Sequence, residues 1–244
     1  MNTANPIIRL SKISFAYPGQ APVLKKLNFT HIQGKAMATR STTIYLIRHG
    51  EVHNPQNILY GRLPRFRLSA RGLVQAQTAG IQLKQYPPLD AVFSSPMLRT
   101  RQTAKQIQNL LNNDGKLHIS ALLNEVYSAY EGQSGSEIDA RGGDVYTGAP
   151  ACFEQPRDVV ARARKFIFRN RRRYSGGHIA AVTHGDVITF MILWAKGKEV
   201  TPKNKTQLLQ AGFPAAYPAH ASITSLSYHS LDEKEHPNVQ YLHP

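Results

Sequence analysis

Four side chains in this chain could do chemistry together. Arg48 and His49 are adjacent in Arg48-His49-Gly50, and Arg99 and His184 follow much later. Two imidazoles and two guanidiniums make a poor metal site, because a guanidinium repels a cation and can only donate. They suit a phosphoryl group. Arginine meets phosphate oxygens as a two-pronged donor, and a neutral imidazole can attack phosphorus or hydrogen-bond its oxygens. Each residue alone would pass for an ordinary loop residue; it is their shared position at the ends of strand-like runs that carries the signal.

Those runs come from an alternation of strands and helices. Thr43–Ile47 (TIYLI) is a short, β-branched apolar run that stops at Arg48-His49, so it reads as a buried strand opening into a loop. A helix is predicted from Leu68-Ser69 to Gln85, with Ser69 as its N-cap. Asp90–Ser94 is a second strand, and Ser95-Pro96 supplies a cap and a first-turn proline for a helix over Met97–Leu111. A third strand is expected at Leu117–Ala121, then an irregular stretch to about Gln155. A helix over Arg157–Tyr174 follows and ends at Gly176-Gly177. His178–Thr183 (HIAAVT) runs into His184-Gly185-Asp186 and a helix over Val187–Ala195, and Ser222–Tyr228 looks like an edge strand. The pattern is that of an α/β domain with a mostly parallel central sheet flanked by helices. In such sheets ligands sit beyond the carboxyl ends of the strands, which is where His49, Arg99 and His184 fall.

The 244 residues are 41% hydrophobic, ordinary for a folded soluble chain. No apolar run reaches the roughly 20 residues needed to span a bilayer, so no membrane is expected. With one cysteine, Cys152, and no signal-peptide pattern in Met1–Arg9, a cytoplasmic location is the simplest reading. A formal charge of +15 attracts phosphorylated metabolites, nucleic acid and anionic surfaces alike. The densest basic run, Arg169–Arg173, ends a helical pattern and is read as a solvated helix terminus. Nucleic acid is not expected as a partner, since no recognised binding module surrounds that run. The sequence carries no signal for oligomeric state.

Leu46-Ile47-Arg48-His49-Gly50-Glu51 resembles the signature of the histidine phosphatase superfamily, which includes phosphoglycerate mutases and broad-specificity phosphatases. Ser94-Ser95-Pro96-Met97-Leu98-Arg99-Thr100-Arg101-Gln102-Thr103-Ala104, Leu123-Asn124-Glu125 and Val182-Thr183-His184-Gly185 follow in the family's order. The similarity runs from about Thr42 to Tyr228. It implies a three-layer, phosphoglycerate mutase-like domain that hydrolyses phosphate monoesters of small molecules with neither cofactor nor metal. His49 would be the nucleophile, Arg48, Arg99 and His184 would bind the phosphoryl oxygens, and Glu125 would donate the proton. Glu131, six residues on, competes for the donor role. Asn54 falls where many relatives have a phosphate-contacting asparagine, with a turn role in Asn54-Pro55 as the rival; Tyr60 and Arg62 could equally touch substrate or pack the loop. Mutases typically continue with Ser/Thr-x-Trp-Asn where this chain has Glu51-Val52-His53-Asn54, so phosphatase is favoured over the alternative of mutase-type phosphoryl transfer. A binding module without turnover is the other alternative, and it would call for a missing nucleophile or acid.

Ile7–Ile32 differs in character, with two strand-like runs around Tyr17-Pro18-Gly19, and a polar linker follows. The segment resembles the first strands of an ABC-transporter ATPase domain, with Tyr17 in the place of the adenine-stacking aromatic. The phosphate loop is absent: Phe29 stands at its first glycine, and Gly34-Lys35 is followed by Ala36. Residues 1–36 are therefore expected to be a vestigial extension, and residues 37–244 the phosphatase domain.

Overall fold

The computed structural model describes residues 8–15, 24–31 and 41–243. They fall in two units, one within Met1–Thr39 and one comprising Arg40–Pro244. In the first, β1 (Ile8–Phe15) and β2 (Leu24–His31) form an antiparallel pair. Tyr17 and Gly34-Lys35-Ala36, on which the ATPase resemblance turned, lie outside the described residues, as does the expected boundary at Met37.

The second unit is built on a six-stranded sheet of order β5-β4-β6-β3-β7-β8. Its strands are β3 (Thr42–Arg48), β4 (Ala91–Ser94), β5 (Leu117–Ile119), β6 (His178–Thr183), β7 (Ile223–Tyr228) and β8 (Asn238–Leu242). The first four in sheet order are parallel, and β7 and β8 complete the sheet antiparallel. Strand residues alternate between two cores, as a period of two requires. Ile44, Leu46, Phe93, Ile179 and Ala181 face α4 (Pro156–Arg173) and α5 (Gly185–Ala195). Tyr45, Ile47, Val92, Ala180 and Val182 face α1 (Ala70–Leu83) and α2 (Leu98–Leu110). Helices on both faces of a mostly parallel sheet give the expected three-layer α/β fold.

Several local expectations change. β7 is not an edge strand, because β8 pairs along it from Ile223↔Leu242 to Ser227↔Asn238; β8 is short and half exposed and lacks an apolar run that would announce it. The third strand stops at Ile119, and a 3-10 turn at Ala121–Leu123 follows. The stretch expected to be irregular contains the short α3 (Gly135–Ala140). Ser69 caps α1 as expected, its Oγ accepting from Gly72 N at 2.9 Å. Ser95-Pro96 precedes α2 and does not cap it: the helix begins at Leu98 with Met97 as N-cap and no side-chain cap, and the Ser95 hydroxyl, 3.3 Å from Met97 N, serves His184 and Thr100.

The basic end of α4 is not wholly solvated. Arg171 is 2% exposed, lies 3.8 Å from the Tyr228 ring centroid, donates to Glu235 Oε2 at 2.7 Å and to the Ser230 carbonyl, and turns its charge inward. Arg169, Arg172 and Arg173 remain exposed.

Candidate active site

The parallel arrangement brings the ends of β3, β4 and β6 to one edge. Arg48 pairs with Thr183 and Ser94 with Val182 in the ladders, so the next residues along, His49 and Ser95, flank the end of β6. Their amides continue the pairing, His49 N donating to Thr183 O at 3.1 Å and Ser95 N to Val182 O at 3.0 Å. Gly50 is required here by space. A Cβ on it would sit 2.3 Å from the Gly72 carbonyl oxygen, so any other residue would push the loop off the start of α1.

His49 is 1% exposed, and both ring nitrogens have partners that assign its tautomer. Nδ1 lies 2.8 Å from the Gly50 carbonyl oxygen, which can only accept, so Nδ1 carries the proton. Nε2 receives Arg99 Nε at 3.2 Å and therefore presents its lone pair. Burial, then Arg99 and Arg48, hold His49 well below the usual histidine range, so the ring is neutral.

Arg99 projects from the first turn of α2 and is 1% exposed. Its Nη2 donates to Gly61 O at 2.7 Å and lies 3.1 Å from His184 Nδ1, while Tyr60 covers the guanidinium at 4.7 Å. His184, fully buried at the start of α5, has Nε2 2.8 Å from Ser95 Oγ. With Arg99 donating at Nδ1, the His184 proton belongs on Nε2, and Ser95 passes the chain on to Thr100 at 2.8 Å. Burial, then Arg99, also keeps His184 neutral. Arg48 donates through Nη1 to Pro218 O at 2.7 Å and lies 5.0 Å from the Tyr217 ring centroid; its buried Nε has no hydrogen-bond partner.

Of the two candidate acids, Glu125 stands among these groups. Its Oε2 is 3.3 Å from His184 Nδ1 and 3.7 Å from Arg99 Nη2, while Oε1 accepts from Val126 N at 2.9 Å. Burial raises its pKa against the opposing pull of Arg99, so it keeps a proton where a free carboxyl would lose it. Glu131 instead accepts the backbone N–H of Arg62 at 2.6 Å. Asn54 closes its own loop, its Nδ2 donating to Ile58 O at 2.9 Å and its Oδ1 accepting from Ile58 N at 3.3 Å. Arg62 packs the loop against Glu154 and the Glu125 carbonyl, whereas Tyr60 lines the cavity.

One polar cluster at the cavity has no sequence signal except the position of Asp186 after His184-Gly185. Asp186 accepts from the hydroxyls of Tyr146 and Tyr217, the latter at 2.6 Å, and from Lys205 Nζ at 2.9 Å. Burial penalises its charge, and Lys205 and the two hydroxyls outweigh that, holding it below the usual carboxylate range. Asp186, Lys205 and Tyr217 line a cavity of about 620 Å³ that also reaches Arg48, His49 and Glu125. His220, whose ring centroid is 6.0 Å from that of His49, is also pushed down to about 3, by burial and then by Arg48 and Arg71. It is presented by Ala221, a non-glycine residue at φ +59° whose N–H donates to the Arg48 carbonyl at 3.0 Å. Backbone strain of this kind collects at functional sites.

Donor atoms of His49, Glu125 and His184 lie within 4.8 Å of one another, a spacing that metal ligands also have. The lone pairs of both imidazoles are taken by Arg99, at 3.2 and 3.1 Å, so a cation bound there would meet a guanidinium. The donor set fits an anion.

Residues 44–228 match the family model of the histidine phosphatase superfamily (branch 1). An uncharacterised Mycobacterium tuberculosis protein, Rv0525 (strain H37Rv), is 31% identical over 196 residues, covering 77% of this chain and 90% of that protein. Among solved structures, Bacillus stearothermophilus YhfR is 25% identical with a TM-score of 0.62, covering 76% of this chain and 90% of its own. The mycobacterial glucosyl-3-phosphoglycerate phosphatase Rv2419c is 23% identical with a TM-score of 0.65, covering 83% and 97%. The α-ribazole phosphatase of Shigella flexneri is 22% identical with a TM-score of 0.60, covering 81% and 95%. The last two likenesses concern the fold.

Proposed function

We propose that this chain, which belongs to the histidine phosphatase superfamily and is a phosphatase, hydrolyses small phosphate monoesters without a metal, through a phosphohistidine on His49. The observation that carries the reading is the state of His49: a buried neutral ring with Nδ1 tied to Gly50 O and Nε2 turned to Arg99. In the first step Nε2 attacks phosphorus and the ester oxygen leaves, taking the proton of Glu125. Charge on the three phosphoryl oxygens is met by Arg48 and Arg99, and by His184 once the negative charge of the arriving phosphate lets its Nδ1 take up a proton. In the second step the Glu125 carboxylate takes a proton from water, whose oxygen attacks phosphorus. The P–N bond breaks, inorganic phosphate leaves, and Glu125 is again protonated. Asn54 was expected at the phosphate; its bonds to Ile58 support a role in shaping the loop instead.

The test is hydrolysis of p-nitrophenyl phosphate with chelator present. Full activity is expected. His49→Ala should abolish it, and acid quenching is avoided in favour of alkaline denaturation to trap a base-stable, acid-labile phosphoryl group on the wild type. Activity lost to chelator and restored by a divalent ion, or substantial turnover by His49→Ala, would sink the mechanism. Incubation with a phosphoglycerate separates the mutase alternative: release of inorganic phosphate is expected, and faster isomerisation would reverse the assignment.

A further inference from the structure

Beyond the phosphoryl end, the cavity changes character. Its walls are largely apolar, formed by Ile58 and Leu59 from the loop after β3, Val126 beside the acid, Ile138 on α3, then Val145 and Ala216, with Ser128 and Thr206 among them. Three charged side chains also line this part: Asp139, Asp186 and Lys205. Lys205 is 8% exposed, and its ammonium already donates to Asp186 Oδ2 at 2.9 Å and Gly143 O at 2.7 Å. Two carboxylates therefore face one committed cation.

The neighbouring guanidiniums are committed too. Arg62 is held by Glu154 at 2.8 Å and the Glu125 carbonyl at 2.7 Å. Arg141 donates to Tyr130 Oη and Thr147 O, both at 2.9 Å. A second carboxylate or phosphate on the substrate would give up its hydration for a wall that carries Asp139 and, among the described residues lining the cavity, would find Lys205 already committed and Arg48, with its unpartnered Nε, assigned to the phosphoryl group. An uncharged hydrocarbon body would leave water for apolar surface, in a cavity far larger than phosphate needs.

We infer that the physiological substrate is a phosphate monoester of an uncharged alcohol or phenol with a sizeable apolar body, and not a phosphate bearing a second anion. The inference rests on the phosphatase reading above and adds the leaving-group class.

Straight-chain alkyl phosphates test it on the wild-type enzyme, because their alcohols have nearly the same leaving ability and differ in apolar length. kcat/KM should rise by up to about fourfold for each methylene that is fully buried, hence more than about tenfold from ethyl to hexyl phosphate even with partial burial. 6-Phosphohexanoic acid, the same body ending in a carboxylate, should be worse than hexyl phosphate by about tenfold or more. The exposed Ala216 on the wall allows a matched variant. Ala216→Lys supplies a free cation and should narrow the gap between these two esters. A flat alkyl series, a carboxylate ester matching or beating hexyl phosphate, or an unchanged gap in Ala216→Lys would each overturn the inference while leaving the phosphatase reading in place. Turnover of no ester at all would end both.

Discussion

Glu125 and the three histidines around Arg48 and Arg99 owe their protonation states to burial, and each state can be measured. Glu125 is useful as an acid because its pKa is raised by burial. Its proton matters most when the leaving oxygen is a poor leaving group. Glu125→Gln should therefore slow alkyl phosphates by a hundredfold or so, a typical share for acid catalysis, and p-nitrophenyl phosphate far less. Equal losses on both would take Glu125 out of the donor role and bring Glu131 forward. His49, His184 and His220 are held neutral in the fold, while an unfolded histidine titrates near the ordinary value of about 6.5. Below that pH the unfolded chain binds protons that the folded chain refuses, so the stability present above it drains away as pH falls. Glu125, shifted upward, works the other way, losing stability as pH rises above the ordinary glutamate range, but one group opposes three. Tm should drop between pH 7.5 and pH 5, and His220→Gln should reduce the drop. A Tm that does not fall would contradict the neutral assignments.

At the scale of elements, α4 shows how one basic run divides. Arg171 turns inward onto Tyr228 and Glu235, while Arg172 next to it is exposed. Arg171→Ala leaves Glu235 without its guanidinium and removes the cover of Tyr228, so a loss of about 3 kcal/mol is expected. Arg172→Ala should stay within about 0.5 kcal/mol, as surface changes do. Chemical denaturation of the two variants decides it, and equal effects would mean that Arg171 contributes nothing from its buried position. The two residues could not be told apart in the sequence, because both lie in the same run of arginines and their roles depend on which one the helix turns towards β7 and the Ser230–Glu235 loop. The boundaries of α1, α2 and α4 needed no such information. They follow to within about two residues from apolar spacing together with Ser69 at the start of α1, although α2 begins two residues after Pro96 and α4 opens on Pro156, one residue before the expected Arg157.

For the whole molecule, the proposed division at Met37 has a direct test. Every side chain assigned to the site lies between Arg48 and His220, and the six-stranded sheet is completed by strands from Arg40–Pro244. β1 and β2 are a two-stranded pair, an arrangement that alone has marginal stability in water. A chain beginning at Met37 should fold and keep kcat/KM within about tenfold of the full chain. A folded truncation that loses more than this, about 1.4 kcal/mol of transition-state stabilisation, would make the N-terminal segment part of the site.

The alternation of apolar runs was enough to place β3, β4 and β6 and the helices between them, because periodicity and capping are local properties of the chain. It was also enough to put Arg48, His49, Arg99 and His184 together, since parallel strands send their carboxyl ends to one edge. The ordered motifs that resemble the family added Glu125. What lay beyond local reading was set by contacts between residues far apart in sequence. β8 is a strand because β7 offers it a free edge. Glu125, and not Glu131, lies beside His184 because Glu131 is drawn to the amide of Arg62. Asp186, Tyr146, Lys205 and Tyr217 converge from four separate segments, and the apolar cavity over them exists only once those segments are folded together, since no one segment holds enough of its wall to show it.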